Sequence, residues 1–258
     1  METSFDKAAT NYDTDFTHSV IGKLQRNWVY FHVSKKLKSV KTLLEINCGT
    51  GEDAIWLALK NIQVTATDVS RKMIEMGKSK SNTNNPNFIQ VNINEIQSQF
   101  SNEKFDLIFS NFGGLNCLSK SELTRFFNSS RYLLSDKGKL ALVIMPKNTL
   151  WEQLYFVMKL DFNNAFRRKK EFAIANVDGE KVTTYYYNPK DILTLSRNDF
   201  AILDTKPIGF FVPPSYLESF FNNKPKLISF LNTLEKIITN QSWLSKYADH
   251  YLIVLEKK

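Results

Sequence analysis

The chain has 258 residues, of which 43% are hydrophobic, so it can bury one substantial core and we expect a single domain over residues 1–258. It contains neither an apolar run of about 18 residues nor a charged-then-apolar leader, so we expect no membrane span and a cytoplasmic location. Cys48 and Cys117 lie far apart and outside any C-x-x-C pair, which argues against a disulfide framework and against a metal centre.

The formal net charge of +8 allows an acidic partner such as nucleic acid. Basic residues cluster between Lys35 and Lys41 and again in the run Arg167-Arg168-Lys169-Lys170. Because no RNA-recognition or zinc-finger pattern accompanies them, a solvated basic face is the alternative to a nucleic-acid surface.

Residues 1–40 predict a helical preface to the fold. Residues 1–19 are polar with scattered aromatic residues that include Tyr12, and residues 20–38 carry apolar side chains near helical spacing. A helix is therefore expected before the first strand.

Residues 42–54 predict a strand, a sharp turn and a helix. Gly49 and Gly51 allow the unusual backbone angles of such a turn, and they let a ligand approach the main chain. Glu45 ends the strand, while Glu52 and Asp53 fall in the first helical turn, where they would repel a phosphate. The loop is predicted to bind a neutral or cationic ligand.

Residues 62–68 predict a second strand that ends on Asp68. Asp68 follows Gly49 by about 20 residues, the separation at which nucleotide-binding α/β units place a carboxylate that accepts hydrogen bonds from ribose hydroxyls. We therefore expect Asp68 to bind a ribose, with Val69 beside it.

The segment Glu45-Ile46-Asn47-Cys48-Gly49-Thr50-Gly51, followed by Asp68, resembles the first two motifs of class I S-adenosylmethionine-dependent methyltransferases. The resemblance extends over residues 20–146. Asn47 replaces the first glycine of the family loop, and asparagine tolerates left-handed backbone angles better than most residues. The resemblance implies a Rossmann-like fold, S-adenosylmethionine as cofactor and S-adenosylhomocysteine as product.

The same resemblance implies the residues that contact the cofactor. Tyr12 would close over it, and Arg26 would pair with its methionine carboxylate. The remaining expected contacts are Glu45, Asn47, Gly49, Gly51, Asp68, Val69, Asn92, Ile93, Ser110 and Asn111.

A competing interpretation is a dehydrogenase, because Gly49-x-Gly51-x-x-Ala54 also fits the dinucleotide fingerprint. In dinucleotide enzymes that loop cradles a pyrophosphate, and carboxylates on both sides of it would be poorly placed. The methyltransferase interpretation is therefore favoured.

Residues 88–93 predict a third strand, and the resemblance places adenine contacts at its end, on Asn92 and the backbone beside it, with Asn94 as an alternative to Asn92. Residues 105–110 predict an apolar and therefore central fourth strand. It opens into a glycine-bearing loop where we expect Phe112 to contact substrate. The loop lacks the Asn-Pro-Pro-aromatic and Pro-Cys signatures of the family's nucleic-acid branches, so a small-molecule acceptor is expected.

The pair Ser119 and Glu122 predicts a capping box that opens a helix, with Gly138 closing it and a strand over 139–145 following. This completes a cofactor-binding core over 41–146 with five strand-helix alternations. Alternation of this kind predicts a parallel sheet covered by helices on both faces.

Residues 147–199 predict a lid with a helix and an aromatic hairpin around the Asp178-Gly179 turn. Tyr185, Tyr186 and Tyr187 are candidates to face substrate, and we assign Tyr185 and Tyr187 to substrate binding. The alternative is that alternate tyrosines pack on the core.

Residues 200–258 predict completion of the sheet by a strand over 200–211, two helices over 215–221 and 225–239, and an antiparallel last strand over 250–256. The predicted fold class is α/β, with a Rossmann-like doubly wound sheet that is mostly parallel, plus a small β-hairpin and helical lid. The candidate bases for an oxygen acceptor are His18, His32 and His250, although His250 is more easily read as structural. We expect a monomer or homodimer that does not act at a membrane.

Overall fold

The computed structural model describes residues 5–177 and 179–258. The helices are α1 (Ala9–Tyr12), α2 (Val20–Ser34), α3 (Glu52–Ala58), α4 (Arg71–Lys80), α5 (Ile96–Gln99), α6 (Lys120–Leu133), α7 (Leu150–Met158), α8 (Phe162–Ala165), α9 (Pro189–Ser196), α10 (Glu218–Phe221) and α11 (Pro225–Ile238). The strands are β1 (Thr42–Ile46), β2 (Gln63–Asp68), β3 (Asn87–Gln90), β4 (Phe105–Ser110), β5 (Leu134–Ile144), β6 (Ala173–Val177), β7 (Glu180–Thr184), β8 (Phe200–Ile208) and β9 (His250–Lys257).

Seven strands form one sheet in the order β3-β2-β1-β4-β5-β9-β8. The first five pair in parallel, and β9 runs antiparallel to both of its neighbours. The chain changes direction across the sheet between β1 and β4, and open α/β sheets bind ligands at the carboxyl ends of strands beside such a point. The predicted Rossmann-like sheet with an antiparallel last strand is confirmed.

The core lies on both faces of this sheet because successive side chains of a strand point to opposite sides. Leu44 and Ile46 of β1 pack in the cluster beneath α5, α6 and α9, whereas Leu43 packs in the cluster beneath α2, α3 and α4. Glu45 shares the second face with Leu43. The Glu45 carboxylate therefore lies in the layer between the sheet and α2.

Two boundary predictions were wrong. The third strand ends at Gln90, so Asn92 and Ile93 lie in the turn that follows it. Gly138 does not close α6, which ends at Leu133. The next residue already pairs with Phe105, so β5 starts there and Gly138 lies inside the strand. The pairing partner on β4, which is distant in sequence, decides that boundary.

The lid contains α7, α8 and a separate two-stranded antiparallel sheet of β6 and β7. The hairpin prediction is confirmed, with Val177 paired to Glu180; Asp178 lies outside the described residues. Over 5–177 and 179–258, none of the helices combines the length and apolar content that crossing a bilayer requires.

Candidate active site

The loop after β1 carries three left-handed residues at alternate positions, at the carboxyl edge of the sheet. Asn47, Gly49 and Gly51 have φ angles of 55°, 53° and 79°. A Cβ on Gly51 would lie 2.5 Å from the Phe88 ring, so packing as well as backbone angle requires glycine there. A Cβ on Gly49 would meet only the Tyr12 ring, at 3.9 Å. The main chain at Gly49 is therefore open to a ligand beneath Tyr12.

Asp68 lies where the loops after β1 and β2 meet. One carboxylate oxygen accepts a hydrogen bond from the Gly49 N–H at 2.9 Å, and the other accepts from the Ser70 N–H at 2.9 Å. Burial raises the pKa of Asp68. A carboxylate has about four acceptor sites, so both oxygens retain capacity for ligand hydroxyls. The structure thus brings Asp68 and the glycine loop together as predicted.

The preface lies over this loop and is anchored to it by polar contacts. Asp13 accepts a hydrogen bond from the Thr50 hydroxyl at 2.6 Å and pairs with Lys80 at 2.8 Å. Asp6 accepts from the Ser70 hydroxyl at 2.5 Å. These contacts hold Tyr12 above Gly49, and burial raises the pKa of Tyr12 to about 12, so its hydroxyl stays neutral.

A buried ion pair joins α2 to the first turn of α3. Arg26 Nη1 lies 2.5 Å from Asp53 Oδ1, and Asp53 also accepts hydrogen bonds from the Tyr30 hydroxyl and the Asn111 amide, at 2.7 and 3.0 Å. Arg26 additionally lies over the Phe112 ring, 5.2 Å from its centroid. The charge of Asp53 is therefore directed at Arg26 rather than at a ligand, which the sequence argument about the helix end did not foresee.

Four buried polar atoms around this pair have no hydrogen-bond partner among the described residues: Glu45 Oε2, Arg26 Nε, Asn47 Nδ2 and Ser110 Oγ. Glu45 is the penultimate residue of β1, and Ser110 is the last residue of the adjacent β4. Burial raises the pKa of Glu45 well above its usual range, the nearby Asp53 charge adds to this, and Arg26 opposes it. Each unpaired buried group costs about 1–3 kcal/mol, so the set fits a ligand that brings both an ammonium and a carboxylate.

Asn92 and Ile93 lie in the turn after β3, at the same carboxyl edge of the sheet as Asp68. The Asn92 side-chain oxygen accepts from the Asn94 N–H at 3.0 Å, which caps the short 3-10 turn Ile93–Glu95. A carbonyl oxygen has two lone pairs, so Asn92 retains acceptor capacity. The Gln90 amide donates to the Val69 carbonyl at 3.0 Å and so fixes the spacing between the two turns.

Comparison with known proteins agrees with this geometry. Residues 43–138 match the family model of the methyltransferase domain. The chain is 28% identical over 229 residues to an uncharacterized protein of Methanocaldococcus jannaschii, covering 84% of this chain and 85% of the relative. It is 34% identical over 121 residues to a putative methyltransferase of Geobacillus sp. WCH70, covering 44% of this chain and 47% of the relative.

Among solved structures, the chain resembles an S-adenosylmethionine-dependent methyltransferase from Clostridium acetobutylicum, with a TM-score of 0.60 and 14% identity over 90% of this chain and 91% of that one. Residues 43–138 are thus a methyltransferase domain, and the fold is that of the S-adenosylmethionine-dependent methyltransferases. The cofactor is accordingly S-adenosylmethionine, and the unpaired atoms of Glu45 and Arg26 fit the two charged ends of that cofactor's amino acid portion.

In the loop after β4, Phe112 has a φ angle of 42° and packs edge-on against Phe16 and His250, with ring centroids 4.9 and 5.4 Å apart. Arg26 covers the same ring. Phe112 therefore joins the preface, the Arg26–Asp53 ion pair and the start of β9 in one apolar wall.

Asn116, which the sequence argument missed, ties the lid to the sheet. Its side chain donates to the Met145 and Tyr185 carbonyls at 3.2 and 2.6 Å and accepts from the Met145 N–H at 2.9 Å. Its own carbonyl accepts from the Tyr185 N–H at 2.7 Å. The only sequence signal was an amide after a glycine pair, which is typical of any turn.

The three lid tyrosines lie in different places. Tyr185 is half-buried and packs beside Phe172, with ring centroids 6.1 Å apart. Tyr187 is 1% exposed in the core, and its hydroxyl donates to the Leu118 carbonyl at 2.6 Å. Tyr186 is buried beneath Arg168. All three tyrosines nevertheless line the cavity beside the lid, so Tyr185 and Tyr187 stay predicted substrate contacts.

The three candidate bases are also separated. His32 is buried against the Thr239 hydroxyl, and burial, with the charge of Lys35, lowers its pKa to about 4. His18 is exposed on the preface. His250 packs on Phe112, with Nδ1 3.2 Å from Asp249 Oδ2. Of the three, His250 is the one in contact with Phe112.

The densest basic run is divided by the fold. Arg167 donates to Glu152 at 2.7 Å, while Arg168 is 6% exposed and donates to both Glu152 and Thr149 at 2.8 Å. Lys169 and Lys170 remain exposed. Half of the positive charge that suggested nucleic-acid binding therefore serves to hold the lid.

Proposed function

We propose that this methyltransferase transfers the methyl group of S-adenosylmethionine to a small-molecule acceptor by direct in-line displacement. One observation carries the proposal: Asn116 fastens the segment after β7, at Tyr185, to the ends of β4 and β5, and a cavity of about 560 Å³ lies beside that segment. Pockets for small ligands measure about 300–1,000 Å³. A cavity of that size, with one wall held by the hydrogen bonds of Asn116, suits a small acceptor.

Several residues would hold the cofactor. Asp68 would accept from the ribose hydroxyls, Glu45 and Arg26 would meet the ammonium and carboxylate of its methionine portion, and Tyr12 would cover it. The adenine contacts would come from Asn92 and Ile93 beside Val69. Gly49, Gly51 and Asn47 would shape the loop, and Ser110 and Asn111 would end β4 beneath it.

The bound cofactor supplies a methyl group already activated by a positively charged sulfur, so the protein mainly aligns donor and acceptor and excludes water. The wall of Phe112, Phe16 and His250 excludes water at the end of β4. Where the acceptor is a hydroxyl, a base must take its proton. His250 is the candidate, and the Asp249 carboxylate lies 3.2 Å from its Nδ1.

The test uses a radiolabelled methyl donor incubated with the purified protein and a size-fractionated extract. Label in the fraction of small metabolites is expected. Label confined to RNA or to protein, with the small-molecule fraction unlabelled, would overturn the proposal. Boiled enzyme provides the background for each fraction.

A further inference from the structure

The cavity beside the lid is strongly cationic. Its lining includes Lys120 at the start of α6, Lys147 after β5, and Lys169 and Lys170 before β6, together with Tyr185. Glu171 is the one carboxylate among the lining residues that the structure describes. Four ammonium groups thus face one concave space from three separate parts of the chain.

These charges are largely uncompensated within the protein. Lys147 pairs with Asp191 at 2.8 Å. Lys120, Lys169 and Lys170 make no ion pair with any carboxylate in the described ranges, and Lys169 instead lies 4.7 Å from the Phe166 ring centroid. The nearby Glu122 is engaged by the Ser119 N–H at 2.9 Å in the capping box of α6. Like charges gathered in a cleft raise its potential and attract counter-ions.

We propose that this cavity binds an anionic group of the methyl acceptor, a carboxylate or a phosphate, through Lys120, Lys169 and Lys170. The inference rests on the proposed function and names the chemical class of its substrate. Clefts lined by one sign of charge concentrate ligands of the opposite sign. An acceptor with a neutral nucleophilic end and an anionic end would be oriented by the lysines.

The position of the cavity supports a role in acceptor binding. Tyr185 lines it, and that residue is bonded through its main chain to Asn116 at the end of the β4 loop. Lys147 lies three residues after the end of β5. The carboxyl ends of β4 and β5 are where an open α/β sheet presents its ligands.

The cavity favours a small anion over a polynucleotide. Arg167 and Arg168, which precede the lining lysines, are committed to Glu152 and so cannot extend the positive surface into a track for a phosphate backbone. Nucleic-acid grooves need basic charge spread along a strand. Here the free charge is gathered into one concave space.

The test compares two triple variants of the full chain. The cavity variant carries Lys120→Gln, Lys169→Gln and Lys170→Gln, and the matched control carries Lys38→Gln, Lys41→Gln and Lys60→Gln. All six side chains are exposed, so both variants should fold, and equal thermal unfolding checks this. Both lose the same net charge.

Binding of inorganic pyrophosphate and of citrate is measured by isothermal titration, which separates phosphate from carboxylate as the preferred group. Tighter binding of one probe identifies the group. We expect the cavity variant to bind the preferred probe about tenfold more weakly than wild type, and the control to change less than about twofold. S-adenosylhomocysteine should bind all three proteins equally, so a failure of cofactor binding would count against the proposed function and not against this inference.

Equal anion affinity in the cavity and control variants would overturn the inference. It would equally be overturned if neither probe bound wild type while a single-stranded RNA dodecamer bound and lost affinity in the cavity variant. That outcome would assign the lysines to nucleic acid.

Discussion

Replacing Asp68 with Asn tests the site at its most constrained point. Each Asp68 oxygen accepts one backbone N–H at 2.9 Å, from Gly49 and from Ser70. An asparagine keeps one acceptor oxygen, and its amide nitrogen must then face the other N–H. One buried donor is left unpaired, which costs about 1–3 kcal/mol of folding free energy.

The same change weakens the cofactor site. A ribose hydroxyl that donates to a carboxylate makes a charge-assisted hydrogen bond worth about 1.5–3 kcal/mol. Its loss corresponds to about 10- to 150-fold in affinity. We therefore expect S-adenosylhomocysteine to bind Asp68→Asn weaker by that factor, as measured by isothermal titration at fixed pH and salt.

The matched control is Asp106→Asn. Asp106 also accepts backbone hydrogen bonds, from the Lys41 and Thr42 N–H groups at 2.9 and 3.1 Å, but it lies at the start of β4, at the opposite edge of the sheet. Its ligand affinity should change less than about twofold, because the site is distant. A folded Asp68→Asn protein with wild-type affinity, or an equal loss in the control, would refute the ribose assignment.

Three further predictions follow from the site and the lid. In the free protein burial raises the pKa of Glu45, whereas a bound ligand ammonium would favour its ionised form. Cofactor binding should therefore release up to one proton, and affinity should rise as the pH passes through the raised pKa. Titrations that compare two buffers measure this release, and Glu45→Gln should abolish it. Asn116→Ala removes three buried side-chain hydrogen bonds and should cost about 3 kcal/mol and speed amide exchange at Tyr185, with unchanged exchange counting against the anchor. Gly51→Ala should lower Tm by several degrees more than Gly179→Ala, since both have positive φ but a Cβ on Gly179 meets nothing within 4 Å; equal shifts would refute the packing argument.

The cofactor side of the site was readable from sequence because its signals are local. The apolar run, the two glycines and the acidic residues at strand ends fall within short segments, and the sheet converts that order into proximity. Asn47 is an example: it was expected to tolerate a left-handed backbone angle, and its φ is 55°. The contacts of Arg26 and Asn92 with cofactor stay predictions.

The pairings across the cleft could not be read in this way. Asp53 was interpreted from its helix end, yet the geometry of α2 against α3 delivers Arg26 to it. The separate environments of the lid tyrosines could not be predicted for a related reason. A period of two predicts that alternate side chains face the core without saying which ones. Which side chains face the core is decided by the hydrogen bonds of Asn116 to Tyr185 and of Met145 to Tyr187. These bonds join segments that are distant in sequence.

The basic run at residues 167–170 shows that charge composition alone does not identify a binding surface. Four consecutive cations look equivalent in sequence, but a 3-10 turn over Arg167–Lys169 points them in different directions. The two arginines reach Glu152, whose burial makes removal of either partner costly, so they are structural. The two lysines line the cavity and keep their charge for a ligand. The lysines that the lid leaves unpaired therefore say more about the acceptor than does the net charge of +8.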